Sequence, residues 1–376
     1  MKHGIKRVCV VGAGLAGLAC ALAASARGVH VDLFDAAEAP SALPAHVEVV
    51  PSMLRDLVGL GVGDDCVREG FAYDGIDIID RQGQRLDQLP TERLAGPRYP
   101  AAIGIGHGAL HRLLERAALA RGVSLHRGAE VVSVESQAER ASLRLASGES
   151  VSADFVLLAV GASSPLRAMF FPGASPADPV GQVWWYTLAR RPVDLDRPCV
   201  AIGAEGRKVV LVPVRADTAG LVLVEPASDA PVASPDKAAA HIRKVMGAFP
   251  PRVRGLVRQL GDDMPFAMRA ARAGLLSAPW NRDCVIAVGE CAHALPPHFG
   301  QAAAQAIEDA VVFGDLLNTA ADRTVLGAMF TERRMPRVRR VHELTTKAAR
   351  WDLHPESATD LRELMQSLAQ TVAQPA

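Results

Sequence analysis

Val8-Cys9-Val10-Val11-Gly12-Ala13-Gly14-Leu15-Ala16-Gly17 is the stretch whose reading decides the fold. Four consecutive apolar residues suit a strand buried on both faces of a parallel sheet. Ala13 to Arg27 is rich in Ala and Leu, reads as a helix, and stops at Gly28. Val29 to Phe34 alternates and closes on Asp35. Strand, helix and strand therefore follow one another, with G-x-G-x-x-G at the first turn and an acid 23 residues beyond Gly12. This context predicts a dinucleotide-binding βαβ unit. Gly12 permits the tight turn, Gly14 lets a pyrophosphate approach the backbone, and Gly17 lets the helix pack close to the strand. The helix start offers free N–H groups and a positive dipole end to phosphates. Leu15, Ala16 and Ala36 complete this part of the expected cofactor-binding set. Asp35 is placed to accept hydrogen bonds from both hydroxyls of an adenosine ribose. A 2′-phosphate would meet that carboxylate, so NADP is disfavoured in this slot.

The composition narrows the remaining choices. With 376 residues, about half of them apolar, the chain can bury a sizeable core. Lys and Arg number 41, as do Asp and Glu, so the formal net charge is zero. Bulk electrostatics therefore gives no argument for nucleic acid or an anionic membrane as partner. Arg333, Arg334, Arg337, Arg339 and Arg340 form a local basic cluster on a helical stretch, read as a solvated face. The six cysteines show no C-x-x-C and no ligand-like clustering, and no metal site is expected. Cys9, Cys20, Cys284 and Cys291 read as buried hydrophobes in a reducing cytoplasm. Lys2, Lys6 and Arg7 before an apolar stretch imitate a secretory signal, but the regular glycines and the following acid-terminated strand oppose that reading. No segment reaches the roughly 20 apolar residues of a membrane span.

Farther along, Met53 to Gly61 reads as a helix, Ile76 to Leu86 as a β-hairpin, and Ala109 to Ala120 as a helix. Strands are expected at Ser124–His126, Val131–Val134 and Phe155–Val160. From about Val180 to Glu225 the runs at Val183–Tyr186, Cys199–Ile202, Val209–Val214 and Leu221–Val224 predict a mainly antiparallel sheet. Glu205-Gly206-Arg207 marks a tight turn, Asp236 to Met246 a helix, and Cys284 to Val288 another buried strand. Ala302 to Thr319 and the chain beyond to about Gln370 are helical. The fold class is therefore an α/β (α+β composite). A discontinuous Rossmann-like domain (1–72, 100–178, 275–325) is interrupted by an antiparallel β-sheet substrate domain (73–99, 179–274), and a helical segment follows (326–376).

A second motif runs from Gly289-Glu290-Cys291-Ala292-His293 through Pro296-Pro297-His298-Phe299-Gly300-Gln301-Ala302-Ala303 to Glu308-Asp309-Ala310. Together with the first, it resembles the FAD-dependent aromatic hydroxylases, the family of para-hydroxybenzoate and salicylate hydroxylases. That family carries G-D-A-x-H, a Pro-Pro pair, G-Q-G and an E-D-A helix. The resemblance spans about residues 5 to 345. It implies FAD as cofactor, with Val47, His107 and Val131 adding to the set above. It also implies Glu290, one methylene longer than the usual Asp, on the ribityl chain. Pro297, Gly300, Gln301, Ala302 and Ala303 would pass the isoalloxazine, and the helix behind them would aim its N-terminus at the flavin.

Three positions depart from the family pattern. Ala159-Val160-Gly161-Ala162-Ser163-Ser164-Pro165-Leu166-Arg167 has Val160 where the family has Asp. His107 stands where the family has Arg, and Pro44-Ala45 replaces a glycine before Val47. Two of these weakened anchors belong to the nicotinamide route. Among lone residues, His298 is a weak catalytic candidate, able to bond a substrate hydroxyl or the flavin, and His293 is expected to bond within its loop. Trp184, Trp185 and Tyr186 alternate, so some rings should face a pocket and others the packing.

The resemblance implies an FAD monooxygenase. NAD(P)H would act as transient co-substrate, and O2 would yield a C4a-hydroperoxide that hydroxylates a small aromatic or heteroaromatic substrate. The alternatives are a flavin protein of this fold with altered or lost NAD(P)H-driven hydroxylation, a flavin halogenase, whose W-x-W-x-I-P motif is absent, and a non-enzymatic binding protein. No second G-x-G-x-x-G unit exists for a separate NAD domain. A monomer or homodimer in the cytoplasm, with no nucleic-acid or membrane partner, completes the expectation.

Overall fold

The computed structural model describes residues 4–230, 235–320, 322–354 and 358–376. Lys2, part of the charged start, lies outside them. The apolar run Arg7–Val11 forms the centre of a six-stranded sheet, flanked in parallel by His30–Asp35 on one side and Phe155–Leu158 on the other. Ser124–Arg127 and Val285–Ala287 extend the parallel ladder outward, and the short Asn281–Arg282 closes one edge antiparallel. Val8, Cys9 and Val10 are wholly buried, as a strand covered on both faces requires.

The second large sheet has eight strands. In order these are His293–Ala294, Ala267–Leu275, Asp178–Arg190, Thr218–Pro226, Lys208–Pro213, Cys199–Ile202, Ile76–Ile79 and Arg85–Leu89. Only the Cys199–Ile202 and Ile76–Ile79 pairing is parallel. The expected hairpin is present, and Glu205-Gly206 makes the expected turn with positive φ at both residues. A small three-stranded sheet, His46–Val49, Ala102–Gly106 and Phe71–Tyr73, presses against this larger one. A Cβ on Gly104 would lie 2.1 Å from the Pro213 carbonyl oxygen, and one on Gly220 would lie 2.0 Å from His46 Nδ1. Only glycine allows that approach. The strand Ala267–Leu275 and the helices Gly63–Glu69 and Pro251–Val257 carry weak apolar periodicity and are found only in the structure.

The helix Gln301–Thr319 packs along the helix Leu15–Ser25, and Arg323–Leu353 crosses behind it. Here the reading of the basic cluster as a solvated face is corrected. Arg339 and Arg340 are exposed, but Arg334 is fully buried. Its Nε donates to Asp309 Oδ1 at 2.7 Å, and its other nitrogens reach Glu308 and Gln305. Arg337 and Arg55 also donate to Glu308. A guanidinium with two carboxylates in reach can be buried, and sequence spacing alone does not show such partners.

Asp309 has a second duty. Its Oδ2 accepts from the Gly289 N–H and from His293 Nε2, each at 2.8 Å. The partner of His293 thus lies on the helix and not in its own loop. Burial alone would raise Asp309, but His293, Arg334 and the Gly289 N–H overcome it and hold the carboxyl below its ordinary range. Asp309→Ala would leave Arg334 charged and short of a partner. Denaturant unfolding should show a loss of about 3–5 kcal/mol, against under about 1 kcal/mol for Arg340→Ala on the exposed face.

Candidate functional site

The glycine-rich turn leaves an opening at its centre. Gly12 sits at φ +103°, and its N–H donates to the Phe34 carbonyl at 2.8 Å, tying the turn to the second strand. A Cβ on Gly17 would stand 1.8 Å from the Gly12 carbonyl oxygen, so only glycine lets the helix seat here. A Cβ on Gly14 would meet nothing within 4 Å. The space beside Gly14 is therefore free for a ligand. It belongs to a cavity of about 510 Å³ lined by Gly12, Gly14, Asp35, Ala36, Val131 and Val160, among others.

Asp35 holds this mouth in shape. Its Oδ2 accepts from the Ala13 N–H at 2.6 Å and its Oδ1 from the Ala37 N–H at 2.8 Å. Each oxygen keeps a further lone pair for a hydroxyl. Leu15 and Ala16 begin the helix, which has no side-chain cap, so its first N–H groups remain available. His111, which sequence reading missed, donates from Nε2 to the Ala13 carbonyl at 2.7 Å and fixes the loop from the other side.

Glu290 is exposed and faces the Ala159–Arg167 stretch, with Oε2 4.0 Å from where a Gly161 Cβ would stand. Arg167 joins the same two motifs by donating from Nε to the Cys291 carbonyl at 2.7 Å. His107 opens the helix His107–Ala120, and its backbone N–H donates to Ala45. Its Nδ1 is buried without a hydrogen-bond partner, and burial, with His111 and Arg269 nearby, lowers its pKa. Val47 points into the apolar core.

Beyond Glu290 the chain turns through Pro297, Phe299 and Gly300. Phe299 and Gly300 both take positive φ, at 59° and 65°, and Gly300 precedes the helix Gln301–Thr319 with no side-chain cap. Gln301 is buried, its Nε2 donating to the Phe299 carbonyl, while Ala302 and Ala303 are half-buried. Small residues and free N–H groups at this helix end make a site for a partly anionic ligand edge.

A second cavity, about 200 Å³, lies beside this turn. Trp184, Val210, Ile78, Ile202, Leu353 and Met365 supply apolar walls, and Pro297, His298 and Phe299 the floor. Apolar cavities of roughly 150 Å³ already admit benzene, so a substituted ring has room. The expected division of aromatic rings holds. Trp184 faces the cavity, whereas Trp185 is buried, with Nε1 donating to Glu225 at 2.7 Å.

Of the cavity's polar groups, sequence reading singled out His298 but not Lys208, Asp352 or Glu48. His298 Nε2 donates to Asp352 Oδ2 at 2.8 Å, and Asp352 also receives Lys208 Nζ and Gln182 Nε2. Burial would raise Asp352, but Lys208 and His298 hold it well below the usual carboxylate range. Burial, reinforced by Lys208, lowers His298 against the pull of Asp352. The imidazole is therefore neutral, and its Nδ1 is an acceptor with no protein partner. Trp184 Nε1–H is likewise unpartnered, and its ring lies 5.4 Å from Lys208 Nζ. Glu48 lines the same cavity, and no hydrogen bond to its carboxyl is found among the described residues.

The three glycines behave differently enough to test. Gly14→Val should fold with a melting temperature close to the parent's, yet lose FAD binding by at least about 100-fold in a titration. Gly17→Val should instead give little folded protein.

Comparisons with known proteins agree with this geometry. The family described as FAD binding domain matches residues 6–345. Salicylate hydroxylase of Pseudomonas putida is 27% identical, over 90% of this chain and 84% of its own. 6-Hydroxynicotinate 3-monooxygenase of Bordetella bronchiseptica is 25% identical over 91% of each chain. Klebsiella pneumoniae HpxO, solved with FAD and uric acid, superposes with a TM-score of 0.85 at 22% identity, covering 99% of this chain and 93% of that one. With the family match covering most of the chain and these relatives aligned over 90% of it or more, the chain belongs to the FAD-binding-domain family and is an FAD-dependent monooxygenase of the aromatic hydroxylase type.

Proposed function

We propose that the Gly14 cavity holds the ADP half of FAD and that the flavin ring lies between Glu290 and the start of the helix Gln301–Thr319. A small aromatic or heteroaromatic substrate then occupies the cavity walled by Trp184. FAD, reduced by NAD(P)H, supplies the oxygen activation. The chain's own residues bind, orient and exclude water. Gly12, Gly14 and Gly17 shape the pyrophosphate turn, with Leu15 and Ala16 behind it. Asp35 and Ala36 take the ribose, and Val131 the adenine side. Glu290 holds the ribityl chain. Pro297, Gly300, Gln301, Ala302 and Ala303 line the flavin edge. His298 Nδ1 and Trp184 Nε1–H fix the polar substituents of the ring. The observation that carries this reading is the space at Gly14 that no protein atom fills.

The same reading assigns residues 1–72, 100–178 and 275–325 to the FAD-binding unit and 73–99 with 179–274 to the substrate sheet. The helices after 326 act as a wall, because Asp352, Leu353 and Met365 reach the second cavity. All six cysteines are free and buried, as suits a reducing cytoplasm, and no described helix is long and apolar enough to cross a membrane. Nothing in the charge balance invites nucleic acid.

A second reading concerns reduction. Val160 borders the Gly14 cavity and cannot accept a hydrogen bond, and His107 Nδ1 is buried without a partner. Both favour a weakened NAD(P)H route, with an external reductase supplying electrons. Stopped-flow reduction of the yellow holoenzyme separates the two. Fast reduction by NADH or NADPH, accelerated by an aromatic substrate, supports self-sufficient hydroxylation. Slow reduction that Val160→Asp or His107→Arg speeds by about tenfold or more supports the second reading. Protein that cannot be reconstituted with FAD would remove both.

A further inference from the structure

Glu48 brings a carboxyl to the ring-sized cavity. It lies on the strand His46–Val49, where Val47 and Val49 enter the core and Glu48 turns to the opposite face. That face borders the ring-sized cavity, in company with Trp184, Lys208 and His298. The strand is anchored next to the flavin-side turn: a Cβ on Gly300 would stand 3.1 Å from the Glu48 carbonyl oxygen and 3.5 Å from its Cβ. Glu48 is half-buried, and its carboxyl, which takes no hydrogen bond from the described residues, stands beside the apolar walls of Trp184 and Val210 as an unclaimed acceptor for a ligand donor.

Resting on the reading of this cavity as the substrate site, we propose that Glu48 is a catalytic residue that accepts the proton of an acidic ring-borne O–H or N–H, so that the substrate class is a hydroxy- or N–H-bearing aromatic. In that step the substrate's X–H bond breaks and a Glu48 Oε–H bond forms. The electron pair stays on the ring heteroatom, so the negative charge moves from carboxylate to ring. No oxidant or reductant is consumed. The resulting ring is more electron-rich, the form that electrophilic oxygen transfer requires.

The charges around Glu48 are consistent with this role. Burial pushes its carboxyl up to about 7, and Lys208 tempers the rise. Tyr73, on the far strand of the small sheet, and Tyr186, on the large sheet, lie within its electrostatic reach, and burial, with Glu48 itself, raises both phenols, so neither competes as a base. His46, on its own strand, is lowered to about 4 by burial and stays neutral. His298 is lowered by burial and by Lys208, while Asp352 is committed to Lys208 and His298. Arg269 lies near Tyr186. Glu48 is thus the acceptor in the cavity whose protonation changes near neutrality.

An acid raised on folding makes the native state hold its proton longer than the unfolded chain. Stability conferred by the protonated form is present at low pH and is lost as pH rises toward about 7. Glu48→Gln should therefore gain thermal stability relative to the parent as pH rises from 5 to 8.

Binding is tested on FAD-loaded protein with 4-methylphenol and its methyl ether, 4-methylanisole, both neutral throughout, followed by flavin difference spectra between pH 5.5 and 8.5. 2-Hydroxypyridine and its N-methyl analogue form the N–H arm. The expected result is at least about tenfold preference for the X–H member of a pair, rising as Glu48 ionises. Glu48→Gln should bring that preference to about twofold and flatten its pH profile, with FAD content unchanged. A flavin-replete parent with no preference for either X–H member, or an unaltered preference in Glu48→Gln, would overturn the role of Glu48 alone. Failure to retain FAD would instead overturn the cofactor reading, and this proposal with it.

Discussion

The buried carboxylate of Asp309 joins parts of the molecule that are far apart in sequence. One oxygen holds the Gly289 N–H and His293, and the other holds Arg334 from the long C-terminal helix. Gly289 itself takes φ +59°, and a Cβ there would lie 2.8 Å from Ala16 Cβ. The carboxylate therefore sets where the turn after the Val285–Ala287 strand meets the first helix. Glu290 and the Pro297–Gly300 turn inherit their positions from it. Since charge-assisted hydrogen bonds to a buried acid are stronger than neutral ones, this junction is stiff. The E-D-A segment acts here as an organiser of the turn that carries Glu290 and His293.

Much of the frame was legible in sequence because it depends on local constraints. The four apolar residues Val8–Val11, the glycine spacing and Asp35 each report a backbone requirement that no distant residue can alter. The Pro-rich turn and its helix are legible for the same reason. The cavity's polar lining is different. Lys208, Asp352 and Glu48 come from three separate elements, and each looks ordinary in its own neighbourhood, whereas His298 stands out only through the Pro-rich turn that carries it. Only the packing of the small sheet against the large one, through Gly104 and Gly220, brings Glu48 to Lys208.

The basic cluster shows the same limit from another side. A run of arginines on a helix is usually solvated, and Arg339 and Arg340 are. Arg334 and Arg337 are drawn inward by Glu308 and Asp309, which sit about one helix away in the chain. Charge pairing over that distance leaves no periodic signal. What the sequence does contain is the pair of acids on an otherwise small and apolar helix face, and acids placed there need a cation.

The placement of Glu48 bears on how such a protein could diversify. The large sheet provides Trp184 and Lys208, the C-terminal helix provides Asp352, and a strand beside the nucleotide-binding frame provides the carboxylate facing them. The ring cavity is therefore not a property of one module. Grafting the eight-stranded sheet from a relative would carry over shape and aromatic walls but leave the proton acceptor behind. Selectivity among ring substituents is divided among three parts of the structure, and changing it requires them to vary together.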